Sequence, residues 1–390
     1  MPAIASDETI RELRATIDGH RNGALALQAL EALAAIRDDR VLHHIHAVAT
    51  HGKGKLGKRA VQILEDISRQ RGLTPDELED RIVPELGLDE RGTMTFDYGR
   101  RRFSVGFDEQ LEPFVRDDAG NRLAAIPRAG AGDDPDKAAH AALAWKELKD
   151  DVKAIGREQS LRLERAMCAE RQWSAEALAN RLVSHRLLGH LARRLVFATH
   201  KRAIAPSPGR SGSRVVMASG FLETTFRVAE DGSYDDGERT VSIPPDARVV
   251  IAHAAMLDEP TRERWRRAFD DYRIVQPFAQ IGRELVVMPA DEIHTTRTRV
   301  FSGLRVRSKS FWGLKHRGWD IHYGVTKRLS AAGPRTTAVL EVQPSLGYGP
   351  RPTDEDHVIG VLSLSGLTFA ALAPIMRAEL LRDVELLRQD

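Results

Sequence analysis

The chain has a single cysteine, Cys168, among its 390 residues. One thiol excludes an intramolecular disulfide and nearly excludes a cysteine-based zinc site. No apolar run approaches the ~20 residues needed to span a bilayer. The opening stretch, MPAIASDETIREL, has no basic segment followed by an apolar one. It therefore does not read as a signal peptide, and the cytoplasm is the expected compartment. Net charge is also scarce: 58 Lys and Arg against 56 Asp and Glu leave +2, which argues neither for nor against a polyanionic partner. Arg greatly exceeds Lys in a chain rich in Ala and Gly, a usage typical of GC-rich coding, so the Arg count is weak support for nucleic-acid binding. There is no P-loop, dinucleotide fingerprint or nucleophile elbow. Gly130-Ala131-Gly132, Gly303-Leu304 and Gly347-Tyr348-Gly349 lack the strand–turn–helix context such motifs need.

What is present reads as a soluble globular protein, 42% apolar and 29% charged, long enough for two or three domains with a substantial core. Residues 6–90 show helical periodicity. Ile10, Leu13 and Ile17 share one face, and Leu27, Leu30 and Leu33 the next. Asp38-Asp39 precede a helix carrying Leu42, Ile45 and Val48; Gly52-Lys53-Gly54 interrupts the pattern, and Leu56, Ala60, Leu64 and Ile67 resume it. Thr74-Pro75-Asp76-Glu77 is a capping-box start. Short antiparallel helices of this kind suggest HEAT-like repeats. Two or three such repeats bury their own apolar faces poorly, which predicts a protein partner or support from the rest of the chain.

In Met94–Leu123, Phe103, Val105 and Phe107 alternate with Ser104 and Gly106, and Asp118-Ala119-Gly120-Asn121 closes a turn, predicting a small antiparallel β-meander. Asp134-Pro135 then opens a long helix to about Ala169, Trp173-Ser174 starts another, and His185–Val196 continues as helix. Pro206–Ser213 reads as a loop. Strands are expected at Val215–Met217, Thr224–Val228, Val249–Ile251, Glu284–Val287, Ala338–Val342 and Val358–Leu364. A helix over Thr261–Tyr272 sets Trp265, Phe269 and Tyr272 on one face, and a closing helix runs from Pro374 to Leu387. The expected fold class is α+β: HEAT-like repeats over 1–92, then a body over 93–390 made of a meander (93–125), a helical part (134–198) and a mixed α/β part (214–390).

Chemistry-bearing residues cluster in several places, each with a structural reading beside it. His43, His44, His46 and His51 lack the local carboxylate of a zincin and read as solvated helix histidines, so no metal site is expected. His185, His190, Arg193 and Arg194 offer donors for an oxyanion, or form the basic side of a helix packing Leu187, Leu188, Leu191 and Leu195. Trp312, His316, Arg317 and Trp319, with Lys315, interleave aromatics and cations as a base-stacking or phosphate site would; alternatively, they are core and cover. Asp97, Asp108 and Glu109 beside Arg100–Arg102 read as structural ion pairs. Gln276, Gln280 and Arg283 form a polar set around a turn, and Cys168, inside a helix, reads as an inert thiol.

Several separate segments resemble one family in its order: DRIVPELGLDERG, FDYGRRRFSVGFDEQLEPFVRDDAGNRL, RQWSAEALANRLVSHRLLGHLARRLV, FRVAEDGSY and FDDYRIVQPFAQIGR. They look like the bacterial domain of unknown function 4132, the C-terminal part of long MolR-like "molybdate metabolism regulator" proteins. The resemblance implies preceding helical repeats, sometimes a fused tryptophan-glycine-arginine domain, and a loose link to molybdate or molybdopterin metabolism. Here Trp312-Gly313-Leu314 keeps only the first two letters of that tripeptide, and FATHKRAIAPSPG replaces the family's WGxYD-like stretch. Three readings follow. The first is a non-catalytic regulatory or interaction module whose helical repeats hold a protein partner, with no cofactor. The second is a small-molecule site, enzymatic or not, for an oxyanion, nucleotide or pterin-like compound, which requires 185–194 and 312–319 to converge. The third is a weak nucleic-acid surface over Arg299–Arg317.

Overall fold

A computed structural model describes residues 7–20, 23–36, 41–52, 54–200, 222–321, 324–333, 335–346 and 355–388. The expectations for Asp38-Asp39, Lys53, Pro206–Ser213, Val215–Met217 and Gly347-Tyr348-Gly349, and for the His51 side chain, lie outside the described residues. The described residues include eleven α-helices and antiparallel sheets, a mixed α and β protein. The chain forms two compact units, Met1–Arg157 with Ala179–His190, and Glu158–Leu178 with Leu191–Asp390.

In the first unit, helices Asp7–Gly19, Ala24–Ala35, Leu42–His51, Gly54–Gln70 and Pro75–Arg81 share a core. Its members Ile10, Ile17, Leu30, Leu33, Ile45 and Ile63 are at most 6% exposed, each such burial contributing about 1.5–3 kcal/mol. Helix packs on helix, Asp7–Gly19 with Ala24–Ala35 and Leu42–His51 with Gly54–Gln70. These helices thus share a core of their own within the folded chain. Among their described residues, the exposed large apolar side chains are Leu25 and Val61. The capping box at Pro75–Arg81 is present: Glu77 N donates to Thr74 Oγ1 (3.2 Å) and Thr74 N to Glu77 Oε2 (2.8 Å).

Strands Met94–Asp97, Arg102–Phe107, Pro113–Arg116 and Arg122–Leu123 form an antiparallel sheet in chain order. Phe103 and Val105 face inward, at 2% and 0% exposure. Asp117 closes the last turn by accepting from the amides of Ala119 and Asn121, around Gly120 at φ 84°, a conformation glycine adopts freely. Arg101 pairs with Asp133, and Asp97 with Lys137 at 2.8 Å.

The second unit holds two six-stranded antiparallel sheets. The first runs Trp173–Ser174, Arg248–Ile251, Phe197–His200, Leu222–Val228, Tyr234–Asp235, Thr240–Val241. Helix Glu259–Asp271 packs Trp265 and Phe269 into its core. Tyr272 departs from the expected shared face; it is 62% exposed, with the Arg227 guanidinium 4.4 Å from its ring centroid. The second sheet runs Arg297–Thr298, Asp356–Leu364, Thr337–Gln343, Val325–Arg328, Trp319–Asp320, and Arg305–Arg307 also pairs with Asp356–Leu364. Leu340, Ile359 and Leu362 share a core with Leu380 and Leu381 of the closing helix Pro374–Glu385.

Two expected elements differ. Glu284–Val287 is not in a strand, and Val287 is 85% exposed; only Val286 and Met288 turn toward a core, and Pro289 follows without an amide to donate. The expected continuous helix over His185–Val196 is reduced to Leu188–Ala192. His185 ends the preceding pattern because its Nδ1 accepts from the amides of both Leu187 and Leu188 (3.2 Å each), a local bond that competes with helix continuation.

Candidate functional site

A dense gathering of buried and half-buried ionisable side chains lies in the second unit, on one stripe of the helix Pro374–Glu385. Glu379 and Asp383 are four residues apart and so share a face. The end of the long helix Pro135–Cys168 contributes Glu164 and Cys168 at the same spacing. His253 follows strand Arg248–Ile251, and Arg283 stands in an irregular segment.

Arg283 is the hub, with a side chain 1% exposed. Its Nε and Nη2 donate to the two oxygens of Glu379, each at 2.6 Å. Nη1 donates to Glu164 Oε1 and to the Ala279 carbonyl, both at 2.8 Å. Nη2 also lies 3.6 Å from Cys168 Sγ. Such a bidentate, charge-assisted pair is among the stronger polar contacts a protein makes. His253 Nδ1 accepts from Ala255 N (3.0 Å), which places its proton on Nε2, 3.0 Å from Glu379 Oε1. Cys168 Sγ donates to the other Glu379 oxygen at 3.5 Å.

A second carboxylate extends the network. Asp383, with its side chain 1% exposed, accepts from Arg317 Nε, from Trp319 Nε1 (2.9 Å) and from Lys327 Nζ (2.7 Å). Arg317 Nη2 reaches back to Glu379 Oε2 at 3.3 Å.

Burial acts to raise the Glu379 carboxyl pKa, but the hydrogen bonds from Arg283 and His253, with the Arg283 charge, outweigh it and hold the pKa well below the usual carboxylate range. Burial resists charge on Arg283 as well; Glu379 overcomes it and keeps the guanidinium protonated. Cys168 goes the other way: burial first, and then the Glu379 charge, push its thiol up to about 12. It is a protonated donor and not a nucleophile.

Sulfur, imidazole and carboxylate ligand atoms of Cys168, His253 and Glu379 lie within 4.8 Å of one another, the atom types of a zinc site. The set does not suit a cation. Arg283 already supplies the positive charge to Glu379 and reaches Cys168, the imidazole proton points at the carboxylate, and the thiol resists ionisation. A small cavity touches the group at His253, about 10 Å³, lined by Glu170, His200, Val250 and Ile375. That is about the room for one water. A polar cleft of about 950 Å³, lined by Leu222, Thr225, Arg239, Asp258, Thr261 and Arg264 among others, shares no residue with the network. There, Arg264 and Trp265 both donate to Thr225 Oγ1.

Of the residues singled out in the sequence, Arg283 and Cys168 meet in this network, and Arg317 and Trp319 come together on Asp383. Trp312 packs at the edge of the core with Lys315 Nζ 3.8 Å from its ring centroid, and His316 is exposed. Arg194 is buried, with Nη1 on the Val275 carbonyl (3.2 Å), while Arg193 is half-buried. His185 and His190 belong to the first unit: His185 Nε2 lies 3.1 Å from the Val83 carbonyl, and His190 meets the Phe107 ring edge-on. Gln280 is fully buried, bonded to the backbone of Val196 and Ala252. The sequence did not single out Glu164, His253, Glu379 or Asp383. The available signal was the pair Glu379/Asp383 on the apolar side of a helix that also carries Leu380 and Leu381.

A family model described as a domain of unknown function (DUF4132) matches residues 120–319. Over 302 residues the chain is 30% identical to a protein of Escherichia coli (strain K12) described as uncharacterized protein YehI, covering 77% of this chain and 24% of that one. The chain thus spans about a quarter of the length of that curated relative. No solved structure matches. No helix among the described residues is long and apolar enough to cross a membrane.

Proposed function

The chain belongs to the DUF4132 family, and from that membership we propose that it is a non-catalytic interaction module acting in the cytoplasm. One observation carries the reading: the charged groups at the heart of the second unit are spent on one another. Arg283 donates to Glu379, Glu164, Cys168 and Ala279, so the group best placed to meet a substrate is buried and satisfied. An acid–base or nucleophilic catalyst needs a group poised near its working pH. The Glu379 carboxyl is held far down and the Cys168 thiol far up. The knot instead ties the long helix, the strand end at His253 and the closing helix into one arrangement.

The regulatory part of the reading rests on the likeness to MolR-like proteins, and with it the link to molybdate metabolism. The partner surface in this reading is the HEAT-like front, where Leu25 and Val61 offer apolar side chains to solvent. Partner capture tests it. Purified from its own host under native conditions, the intact chain brings down a protein in stoichiometric amount, and Leu25→Glu/Val61→Glu loses it. A wild-type chain recovered alone, or with a small molecule bound in place of a protein, overturns the proposal.

A further inference from the structure

The second sheet of the second unit has one face on the core and one face open. Alternation along the strands sets the open side: Val339, Glu341 and Gln343 on Thr337–Gln343, and Asp356 and Val358 on Asp356–Leu364. Val339 and Val358 are 39% and 37% exposed. The outer edge of this sheet is not one strand but two short ones in line, Arg297–Thr298 and Arg305–Arg307, both paired to Asp356–Leu364. Register places Arg297 opposite Ser363, Arg305 opposite Val358 and Arg307 opposite Asp356.

The open face and its edge carry four exposed cations, Arg297, Arg305, Arg307 and Arg328, against three acids, Asp320, Glu341 and Asp356. Glu341 lies over Gly360, where an added Cβ would stand 3.1 Å from its Cδ. None of the four arginines forms an ion pair with a described carboxylate. The backbone at this edge is also turned outward. Leu364 N donates to Thr296 O (2.8 Å), Ile359 N to Leu304 O (2.8 Å) and Ser308 N to Glu355 O (2.9 Å). By the alternation of an antiparallel ladder, the backbone groups of Arg297, Arg305 and Arg307 therefore turn away from Asp356–Leu364. Those of Arg297 are taken by Thr295, whose Oγ1 accepts from its amide (3.1 Å) and donates to its carbonyl (2.5 Å), and the Arg307 carbonyl opens the helix Ser308–Lys315 as its N-cap. Arg305 thus offers a guanidinium on the face with its amide and carbonyl at the edge, and Arg307 a guanidinium with its amide.

We infer that this edge captures an extended acidic segment of a partner protein as an added strand. The inference deepens the interaction-module reading and rests on it. Side chains on one face of a strand repeat every two residues, about 6.8 Å. A segment alternating acidic and apolar residues would thus place successive carboxylates beside Arg305 and Arg307, as cross-strand pairs. Its backbone would use the outward amides, the mode by which sheets accept peptides. A nucleic acid satisfies the charges but not the ladder, and no aromatic side chain on the described part of this face would stack a base. Cationic edges also serve simply to prevent sheets from pairing, and the experiment decides between the two roles.

The full-length protein is titrated against three fluorescein-labelled probes at low salt: an eight-residue peptide alternating Glu and Val, a peptide with four Glu followed by four Val, and an oligonucleotide of eight thymidines. The expected result is binding of the alternating peptide at least about tenfold tighter than of either other probe, weakening as salt is added. Arg305→Glu/Arg307→Glu abolishes this binding, and the milder Arg305→Gln/Arg307→Gln, chosen to keep the fold, weakens it about tenfold or more. Equal binding of the block peptide overturns strand addition. Tighter binding of the oligonucleotide overturns the peptide as partner. No binding of the alternating peptide overturns the surface and reduces the arginines to edge protection, while partner capture by the front helices stands or falls by its own test.

Discussion

The two units solve the same problem with different chemistry. The helices of 7–81 close mainly on aliphatic side chains contributed by near neighbours in sequence, such as Ile10, Leu30, Leu33 and Ile45, with Asp80 and His46 as buried polar members. The second unit has apolar cores of its own, yet between its elements lies a knot in which Arg283, Glu379, Asp383 and His253 are buried together. An aliphatic core tolerates change in proportion to the volume removed. A buried ionic knot does not, because deleting one member strands another charge without water. The first unit should therefore yield gradually to mutation and the second abruptly.

The sharpest break comes at the hub. Arg283→Met removes the donor to Glu379 and Glu164 and leaves a carboxylate buried; a loss of about 3–5 kcal/mol is expected, read as a lower unfolding midpoint. Hydrogen exchange should show lost protection in Pro374–Glu385 and unchanged protection in Ala24–Ala35. Replacing both partners, Arg283→Met with Glu379→Met, should recover much of that loss, since the buried carboxylate goes with its guanidinium and Glu164, with its side chain 24% exposed, can turn to water. If the single variant is as stable as wild type, the knot is not what holds these elements. If the double variant is worse than the single one, the charges contribute through something other than mutual satisfaction.

A smaller effect is expected at Thr74. Thr74→Ala removes one half of the capping box and should cost about 1 kcal/mol, within the first unit alone. Thr74→Ser keeps the hydroxyl and should cost little. Equal losses in the two variants would trace the effect to the methyl group and not to the cap.

These contrasts also explain what could be read from the sequence. Helical periodicity, the Thr74-Glu77 box and the alternation of Phe103 with Val105 are local signals, carried by residues within a turn or two of each other. Ladder partners such as Val249 with Thr199 are not local; Val249–Ile251 announces itself as a β-branched run, but Phe197–His200, reading FATH, does not and is not among the expected strands. The knot has no such signature: its members span positions 164 to 383, and each looks like an ordinary helix or loop charge until the chain folds. Arg317 and Trp319 were visible as an aromatic–cation segment, but only Asp383, 64 residues from Trp319, shows that they face inward. Glu284–Val287 was misread for the opposite reason. It has the composition of a strand, but no neighbouring strand takes up its hydrogen bonds.

The gentlest probe is pH, which sharpens the comparison because the two units respond in different windows. In the first unit burial, then His43, then Arg14 lower the His44 pKa from 6.5 to about 3, and the two rings sit 3.6 Å apart. A histidine depressed on folding is protonated more readily in the unfolded chain, so stability is lost as pH falls below about 6.5 and continues to fall toward 3. Discounted for solvent around a partly exposed ring, the loss by pH 5 is less than about 1 kcal/mol. Glu379 in the second unit is also depressed on folding, from 4.5. Its contribution is intact above 4.5 and is lost only as pH falls further, through its folded value. Between pH 7 and 5, therefore, hydrogen exchange should quicken in Leu42–His51 and stay constant in Pro374–Glu385, and His44→Asn should remove the first change. A closing helix that loosens before the front helices would reverse the assignment of acid sensitivity, and with it the view that the knot is the more tightly held of the two.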